Sequence, residues 1–211
     1  MTLLRPLARG LAVAILGSLL IGCISLLPKQ KPAQLFRFGV STPPAAAPAS
    51  GRARFSVQAV PISFERAAAS DAILTVTGDE AAYIAGSRWV TSASSLFDAA
   101  VTRAFDADGG AARLIPRGEA VWPDYSLKLD VRAFEARYDR GQAAPPTIVF
   151  ELYAGLIRRS NDAVAPPPAE RIFQASVPAS ENRAGAIAQA FDTAVTKVLG
   201  DMVAWVDAKG A

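Results

Sequence analysis

A long apolar stripe near the C-terminal end of the sequence most constrains the fold. Between about residues 183 and 207, apolar side chains recur every three or four positions, which is the spacing of one face of an α-helix. A helix with so wide an apolar face needs a second layer to cover it, so we expect it to pack against a sheet. The stripe consists of Ala184, Ile187, Ala188, Phe191, Val195, Val198, Met202 and Trp205.

A second stripe predicts another long helix in the first half of the chain. This helix should begin with Ser87 as its N-cap and end at Gly109-Gly110. Core packing is the interpretation that we adopt for both stripes, and binding of a partner or a lipid by Trp89 or Trp205 is the alternative. The apolar positions of the second stripe are Trp89, Ala93, Leu96, Phe97, Ala100, Val101, Ala104 and Phe105.

Segments with strand-like patterns surround the two helices. Tyr125–Ala133 alternates between apolar and polar residues, and the phase then changes, which predicts a β-bulge near Phe134. Thr147–Arg158 is apolar on both faces and predicts a central strand covered on both sides. Further strands are predicted at residues 35–40, 54–60, 73–77, 81–84, 114–115 and 171–177. This order predicts an α+β fold, in which a mostly antiparallel sheet carries two long amphipathic helices on one face.

The N-terminal end has the pattern of a secretory signal. Arg5 and Arg9 precede an uncharged apolar run at residues 11–21, which is shorter than the roughly 20 residues that a spanning helix needs. The run ends in a lipobox, Leu20, Ile21 and Gly22 followed by Cys23. We therefore expect residues 1–22 to be a lipoprotein signal peptide and the Cys23 thiol to carry a lipid. An ordinary signal or a short membrane anchor with a chance cysteine is the alternative.

The segment after the lipobox predicts how the mature chain is held. Residues 23–34 should form a lipidated tether, and residues 35–211 a single α+β domain. Among bacterial lipoproteins, Asp directly after the lipidated Cys favours retention in the inner membrane, and this chain has Ile24 instead. The expected location is therefore the periplasmic face of the outer membrane, by lipid anchorage, rather than the inner membrane.

Composition excludes several classes of function. The sequence has no His, and Cys23 is its one Cys, which removes Ser-His-Asp and Cys-His catalysis and zinc sites built from these residues. No P-loop motif is present, so we expect no nucleotide binding of that kind. Without Arg5 and Arg9 the chain has 20 basic against 19 acidic residues, which is not the excess of positive charge typical of nucleic-acid-binding proteins. Carboxylate pairs such as Asp130 and Glu135 offer glycosidase chemistry as an alternative, but we interpret them as solvated strand faces. We expect no catalysis, no metal and no cofactor other than the lipid on Cys23.

Several short motifs occur in a recognisable order. Leu35-Phe36-Arg37-Phe38 forms the first strand, Val57-Gln58-Ala59-Val60-Pro61 ends the next, and Arg88-Trp89 opens the first long helix. With the lipobox, the tether and the amphipathic C-terminal helix, this order resembles the ABC-type transport auxiliary lipoproteins, the PqiC-like family, over most of residues 20–208. The sequence departs from the family in having Phe rather than Tyr in the first strand, and Ser63–Ala68 where the family has a Leu-Asp-Arg-Pro-like stretch.

The resemblance implies a function. Such proteins act as outer-membrane partners of Mce-type systems, in which an inner-membrane ABC transporter and an Mce-domain protein move phospholipid or other hydrophobic molecules across the envelope. It therefore implies a non-catalytic subunit that docks this machinery, and a homo-oligomer is also compatible with it. Exposed aromatic residues are enriched at binding hot spots, so Phe64 and Tyr83 are our candidate partner contacts. The alternative is a structural or regulatory outer-membrane lipoprotein of a cell-wall synthesis or secretion complex.

Lipidation at Cys23 can be tested by metabolic labelling with a fatty acid. The wild-type chain should be labelled and Cys23→Ser should not, because a hydroxyl does not replace the thiolate as the acceptor. Because two or more acyl chains anchor a protein firmly, the labelled protein should also stay with membranes in high salt. Equal labelling of the two proteins would contradict the prediction.

Overall fold

A computed structural model describes residues 32–41, 54–116, 118–160 and 167–210 of the chain. The predicted signal peptide and the lipobox residues Leu20, Ile21, Gly22 and Cys23 lie outside these ranges, as does most of the predicted tether. A compact unit extends from Ala33 to Ala211. Neither helix in the described ranges is both long enough and apolar enough to cross a membrane.

Nine strands and two helices make up the described part of this unit. They follow one another as β1 Gln34–Phe36, β2 Phe55–Ala59, β3 Ser63–Phe64, β4 Ala72–Thr77, β5 Glu80–Trp89, α1 Ala93–Asp108, β6 Ala112–Leu114, β7 Tyr125–Arg137, β8 Thr147–Arg158, β9 Ala169–Pro178 and α2 Ala184–Gly210. The predicted α+β class is confirmed, with both helices covering the one buried face of the sheet.

Strand β7 organises the sheet. One edge of β7 pairs antiparallel with β8 over twelve positions, and β8 pairs antiparallel with β9 over ten. The other edge of β7 receives β2, β3 and β4 in succession, all parallel to it. β5 and then β1 lie beyond β4, and β6 lies beyond β2. Because the antiparallel pairs are the long ones, the sheet is mostly antiparallel, as predicted.

A bulge in β7 lies where the sequence predicts it. The register with β8 shifts between Val131 and Ala133. Before the shift, Leu127, Leu129 and Val131 point into the core, and after it Phe134 and Ala136 do so. The extra residue therefore keeps every large apolar side chain of this strand on the buried face.

The prediction that β8 is covered on both faces is wrong. Ile148, Phe150 and Leu152 are fully buried, whereas the residues between them are only half-buried. Both helices pack on the same side, so within the described residues no helix covers the other face of β7, β8 and β9. Apolar residues on that face, such as Val149, lie beside cross-strand neighbours.

The predicted start of the first helix is also wrong. Helix α1 begins at Ala93, and its N-cap is Ser92, whose hydroxyl accepts a hydrogen bond from the Ser95 amide at 3.2 Å. Ser87, Arg88 and Trp89 belong to β5 instead, where they pair with β1. The four-residue step from Trp89 to Ala93 resembles helical spacing, but the backbone amide of Trp89 donates to Asp71 of the neighbouring turn. Strand pairing therefore prevails over the helical pattern at this point.

Aromatic rings form the centre of the core. The ring centroid of Phe134 lies 4.7 Å from that of Phe191 in α2, 5.0 Å from that of Phe38 and 5.5 Å from that of Phe150 in β8. Trp89 packs edge-on against Phe191 at 5.3 Å. Strand β7 and the C-terminal helix are therefore joined directly through these rings, and the predicted core positions of Phe191 and Trp205 are confirmed.

Truncation of two α2 side chains tests this core. Phe191→Ala and Trp205→Ala should each lower the free energy of unfolding by about 3–5 kcal/mol, because each removes a large buried ring and leaves a cavity. Thermal and denaturant unfolding of the purified domain measure the effect. Gly200→Ala, at an exposed helix position where an added methyl meets nothing within 4 Å, is a control that should not destabilise. If Trp205→Ala left the melting temperature unchanged but abolished complex formation, Trp205 would be an interface residue instead.

Candidate partner-binding surface

Phe64 lies at the rim of the core. It ends the two-residue strand β3 and pairs with Val131 of β7. Its ring packs edge-on against Phe97 of α1 at 5.9 Å and against Phe134 at 5.6 Å. The side chain is half-buried, so one part of it packs in the core and the rest is accessible at the surface.

Tyr83 lies on β5 and is 52% exposed. Its hydroxyl donates to the carbonyl of Ala67 at 3.1 Å. Ala67 follows Phe64 by three residues, in the segment that connects β3 to β4. The structure therefore places Phe64 at the start of this connection and bonds Tyr83 to it.

An open groove lies beside Phe64, between β3 and β7. Its volume is about 470 Å³, and it is lined by Ser63, Phe64, Glu65, Arg66, Asp130, Val131 and Arg132. Two cationic and two anionic side chains face it. Glu65 accepts a hydrogen bond from the Ala67 amide at 3.2 Å, and Asp130 contacts Arg132 at 3.4 Å. The balance of charge gives the groove no preference for an anion or a cation.

Asp130 and Glu135, the carboxylates considered above for glycosidase chemistry, each have an arginine partner. Asp130 pairs with Arg132, and Glu135 accepts two hydrogen bonds from Arg137, two residues further along β7. Within the described ranges, no three acidic, His or Cys side chains converge to hold a metal ion. These carboxylates therefore serve as strand-face ion pairs in this structure.

On the open face of β7, β8 and β9, polar side chains form contacts between neighbouring strands. Tyr153 of β8 has the guanidinium of Arg132 at 4.6 Å and the ammonium of Lys128 at 5.9 Å from its ring centroid. Its hydroxyl interacts with Glu170 of β9, and this hydrogen bond to a carboxylate raises the pKa of the phenol. Gln174 and Glu151 are joined across β8 and β9 at 2.6 Å.

A second exposed surface occurs where β7 begins, at the segment Val121–Asp124. No sequence motif predicts a role for this segment. Its Trp122 is 72% exposed, and the guanidinium of Arg159 lies 5.4 Å from the ring centroid. A lone tryptophan in a loop, outside every apolar stripe, is the weak sequence signal for such a position.

Asp124 fixes the end of that segment. Its carboxylate accepts hydrogen bonds from the amide and the hydroxyl of Ser56, both at 2.7 Å, and the Ser56 hydroxyl in turn accepts from the Asp124 amide at 3.0 Å. The side-chain bond from Ser56 is the largest cause of a lowered pKa for this carboxyl, and nearby Arg158 adds to it. Asp124 therefore remains ionised at any physiological pH and binds the start of β7 to β2.

The family model for the ABC-type transport auxiliary lipoprotein component matches residues 37–203. The crystal structure of protein XCC0632 from Xanthomonas campestris, a DUF330 protein, is 27% identical with a TM-score of 0.70, and the match covers 84% of this chain and 97% of that chain. A second crystal structure, of an uncharacterized protein, covers 86% of this chain and 100% of that chain at 9% identity, with a TM-score of 0.61, and shares the fold. No curated protein gives a significant match.

The family match covers the described fold from the residue after β1 into the last turns of α2. It includes the aromatic core, the groove beside Phe64 and the segment that contains Trp122. The earlier resemblance, which depended on the order of short motifs, is thereby confirmed. This chain belongs to the family of ABC-type transport auxiliary lipoprotein components.

Proposed function

We propose that this chain is a non-catalytic subunit of an ABC/Mce-type system that moves lipid or other hydrophobic molecules through the envelope. In this proposal it is anchored in the outer membrane by a lipid on Cys23 and docks the Mce-domain protein on the periplasmic side. Membership of the transport auxiliary lipoprotein family is the observation that carries the proposal.

Three features of the chain itself support a binding role. The sequence lacks His and has one Cys, so the commonest nucleophile and base arrangements are unavailable. Asp130 and Glu135 are each paired with an arginine of the same strand. The groove beside Phe64 is open and charge-balanced, which suits a protein surface better than an enclosed small-molecule site.

The tether supports a location close to a membrane. From Cys23 to the start of β1 at Gln34 there are eleven residues, which reach about 36 Å when fully extended. A folded unit held on such a segment stays near the membrane and presents its surface to the periplasm. That position suits a docking role at the end of a periplasmic conduit.

Affinity capture tests the proposal. The tagged lipidated protein should recover an Mce-domain protein from solubilised envelopes, identified by mass spectrometry. Tyr83→Asp should weaken recovery if the surface around Tyr83 contributes, because it places a charge where an exposed aromatic ring was. Val90→Asp is a matched control at a similarly exposed apolar position.

The identity of the captured protein decides between the two functions. Recovery of a cell-wall synthase or a secretion channel, with no Mce-domain protein, would support the structural or regulatory alternative instead. Both variants must retain the melting temperature of the wild type, so that loss of binding is not loss of folding.

A further inference from the structure

We propose that Asp108 and Asp207 form a proton-dependent clasp between the C-terminal ends of α1 and α2. In mild acid the Asp207 carboxyl donates a hydrogen bond to the Asp108 carboxylate and closes the clasp. At higher pH the proton is lost to solvent, and the two carboxylates repel each other and open it. The clasp is a conformational device within the fold, so this inference does not depend on the proposed function.

The two carboxyl groups meet beside Gly110, in the turn between α1 and β6. A Cβ atom at this position would overlap Oδ2 of Asp108 and Oδ2 of Asp207, so only glycine leaves room for both oxygens. Asp108 is the last residue of α1, and Asp207 lies in the last turn of α2. The ends of the two helices therefore approach each other through acidic side chains.

The two oxygens of the Asp207 carboxyl have different partners. Oδ1 accepts a hydrogen bond from the Ala112 amide at 2.7 Å, whereas Oδ2 faces the Asp108 carboxyl. An ionised carboxylate is an acceptor only, so a hydrogen bond between two carboxyl groups requires a proton on one of them. A proton on Oδ2 of Asp207 satisfies the arrangement, because Oδ1 keeps its amide donor and Oδ2 donates to Asp108.

The surroundings of Asp207 favour its protonated form. Burial is the largest cause that raises the pKa of Asp207, and the hydrogen bond and the negative charge of Asp108 raise it further, while the amides of Ala112 and Ala111 oppose them. Both carboxyl groups also lie at helix C-termini, where the negative end of the helix dipole disfavours a carboxylate. The electrostatics therefore place the proton on the same group as the hydrogen-bond geometry does.

The other charged groups of the two helix ends do not neutralise the pair. Asp106 of α1 adds a further negative charge, and the last turn of α1 holds no basic residue. Lys209 is the basic residue in the last turn of α2, but it is two positions from Asp207, and residues with this spacing do not face each other on a helix. Asp201 lies more than a turn earlier in α2 and is engaged with Lys197 at 2.6 Å.

The strands that pack against the end of α2 direct their cations elsewhere. Phe55 of β2 and Ala112 of β6 face α2. Arg54 and Arg113 are their neighbours in sequence, and because side chains alternate along a strand, both point toward the opposite face. Arg113 is also paired with Glu119 at 3.0 Å. The charge that acts on the half-buried carboxyl of α2 is therefore that of its acidic partner in α1.

The pH dependence of the clasp follows from these directions. Because the pKa of Asp207 is raised above the ordinary value of 3.8, the clasp contributes stability that is fully present below about pH 4 and is lost as the pH rises through the raised pKa. Asp124 has a lowered pKa and acts in the opposite sense, since its contribution is lost as the pH falls. Variants compared at equal pH therefore isolate the clasp from the other carboxylates.

Carbon-13 NMR titration of the aspartate carboxyls in the purified full-length chain tests the inference. Asp207 should titrate above the ordinary value in the wild type. Asp108→Asn should lower its midpoint, because the amide still donates a hydrogen bond and the second charge is gone. Asp106→Asn removes a charge from the same turn of α1 outside the contact, so it should leave the midpoint nearly unchanged. An Asp207 midpoint at or below the ordinary value in the wild type would overturn the inference, whatever the variants do.

Amide hydrogen exchange and thermal unfolding show whether the titration loosens the helix end. At pH 8 the last turn of α2 should exchange faster in the wild type than in Asp108→Asn, and the two proteins should converge at pH 4. The melting temperature of Asp108→Asn should exceed that of the wild type by about 2–4 °C at pH 8, the shift typical of one modest interaction in a chain of this length, and match it at pH 4. A difference of equal size at both pH values would make the contact purely structural and overturn the clasp.

Discussion

The packing of Phe134 against α2 is the interaction on which the rest of the structure depends. The β-bulge between Val131 and Ala133 turns Phe134 to the helix side, where its ring contacts Phe38, Phe150 and Phe191. Without the extra residue, the second half of β7 would present Phe134 and Ala136 to solvent, because side chains alternate across a strand. Strand β7 also pairs with β2, β3, β4 and β8, so its register fixes the position of most of the sheet.

The features that sequence could predict are those controlled by local periodicity. The C-terminal stripe, the alternation from Tyr125 to Val131 and the phase change near Phe134 are local patterns, and the structure has all three. Ala133, which the alternation predicts to point inward, instead pairs with Glu151 after the bulge. The start of α1 was predicted wrongly because the Trp89–Ala93 step fits a helix, and only the pairing of β5 with β1 shows otherwise. The coverage of β8 was predicted wrongly because an apolar run does not reveal on which side the helices lie. Both errors concern contacts between residues far apart in the sequence, which the pattern of neighbouring residues does not reveal.

In the candidate site, too, local patterns could be predicted and long-range contacts could not. Phe64 and Tyr83 were selected because they lie outside the helical stripes, but the structure gives them different surroundings. Phe64 completes the aromatic core beside Phe97, whereas Tyr83 remains half exposed and holds Ala67 through its hydroxyl. Trp122 gave only a weak sequence signal, because its orientation depends on Arg159, 37 positions later in the chain. Ser56, which fixes the neighbouring Asp124, is 68 positions earlier.

The one-sided covering of the sheet explains how a fold of this kind can combine stability with binding. The helix side is filled by α1 and α2, and its apolar groups are committed to the core. The open side of β7, β8 and β9 is stabilised by cross-strand pairs such as Glu151–Gln174 and Arg132–Tyr153, each of which contributes modestly and tolerates solvent. Single residues of such a surface can be substituted without disrupting the packing of the core. The filled face therefore holds the fold, while the residues of the open face can change without loss of the core.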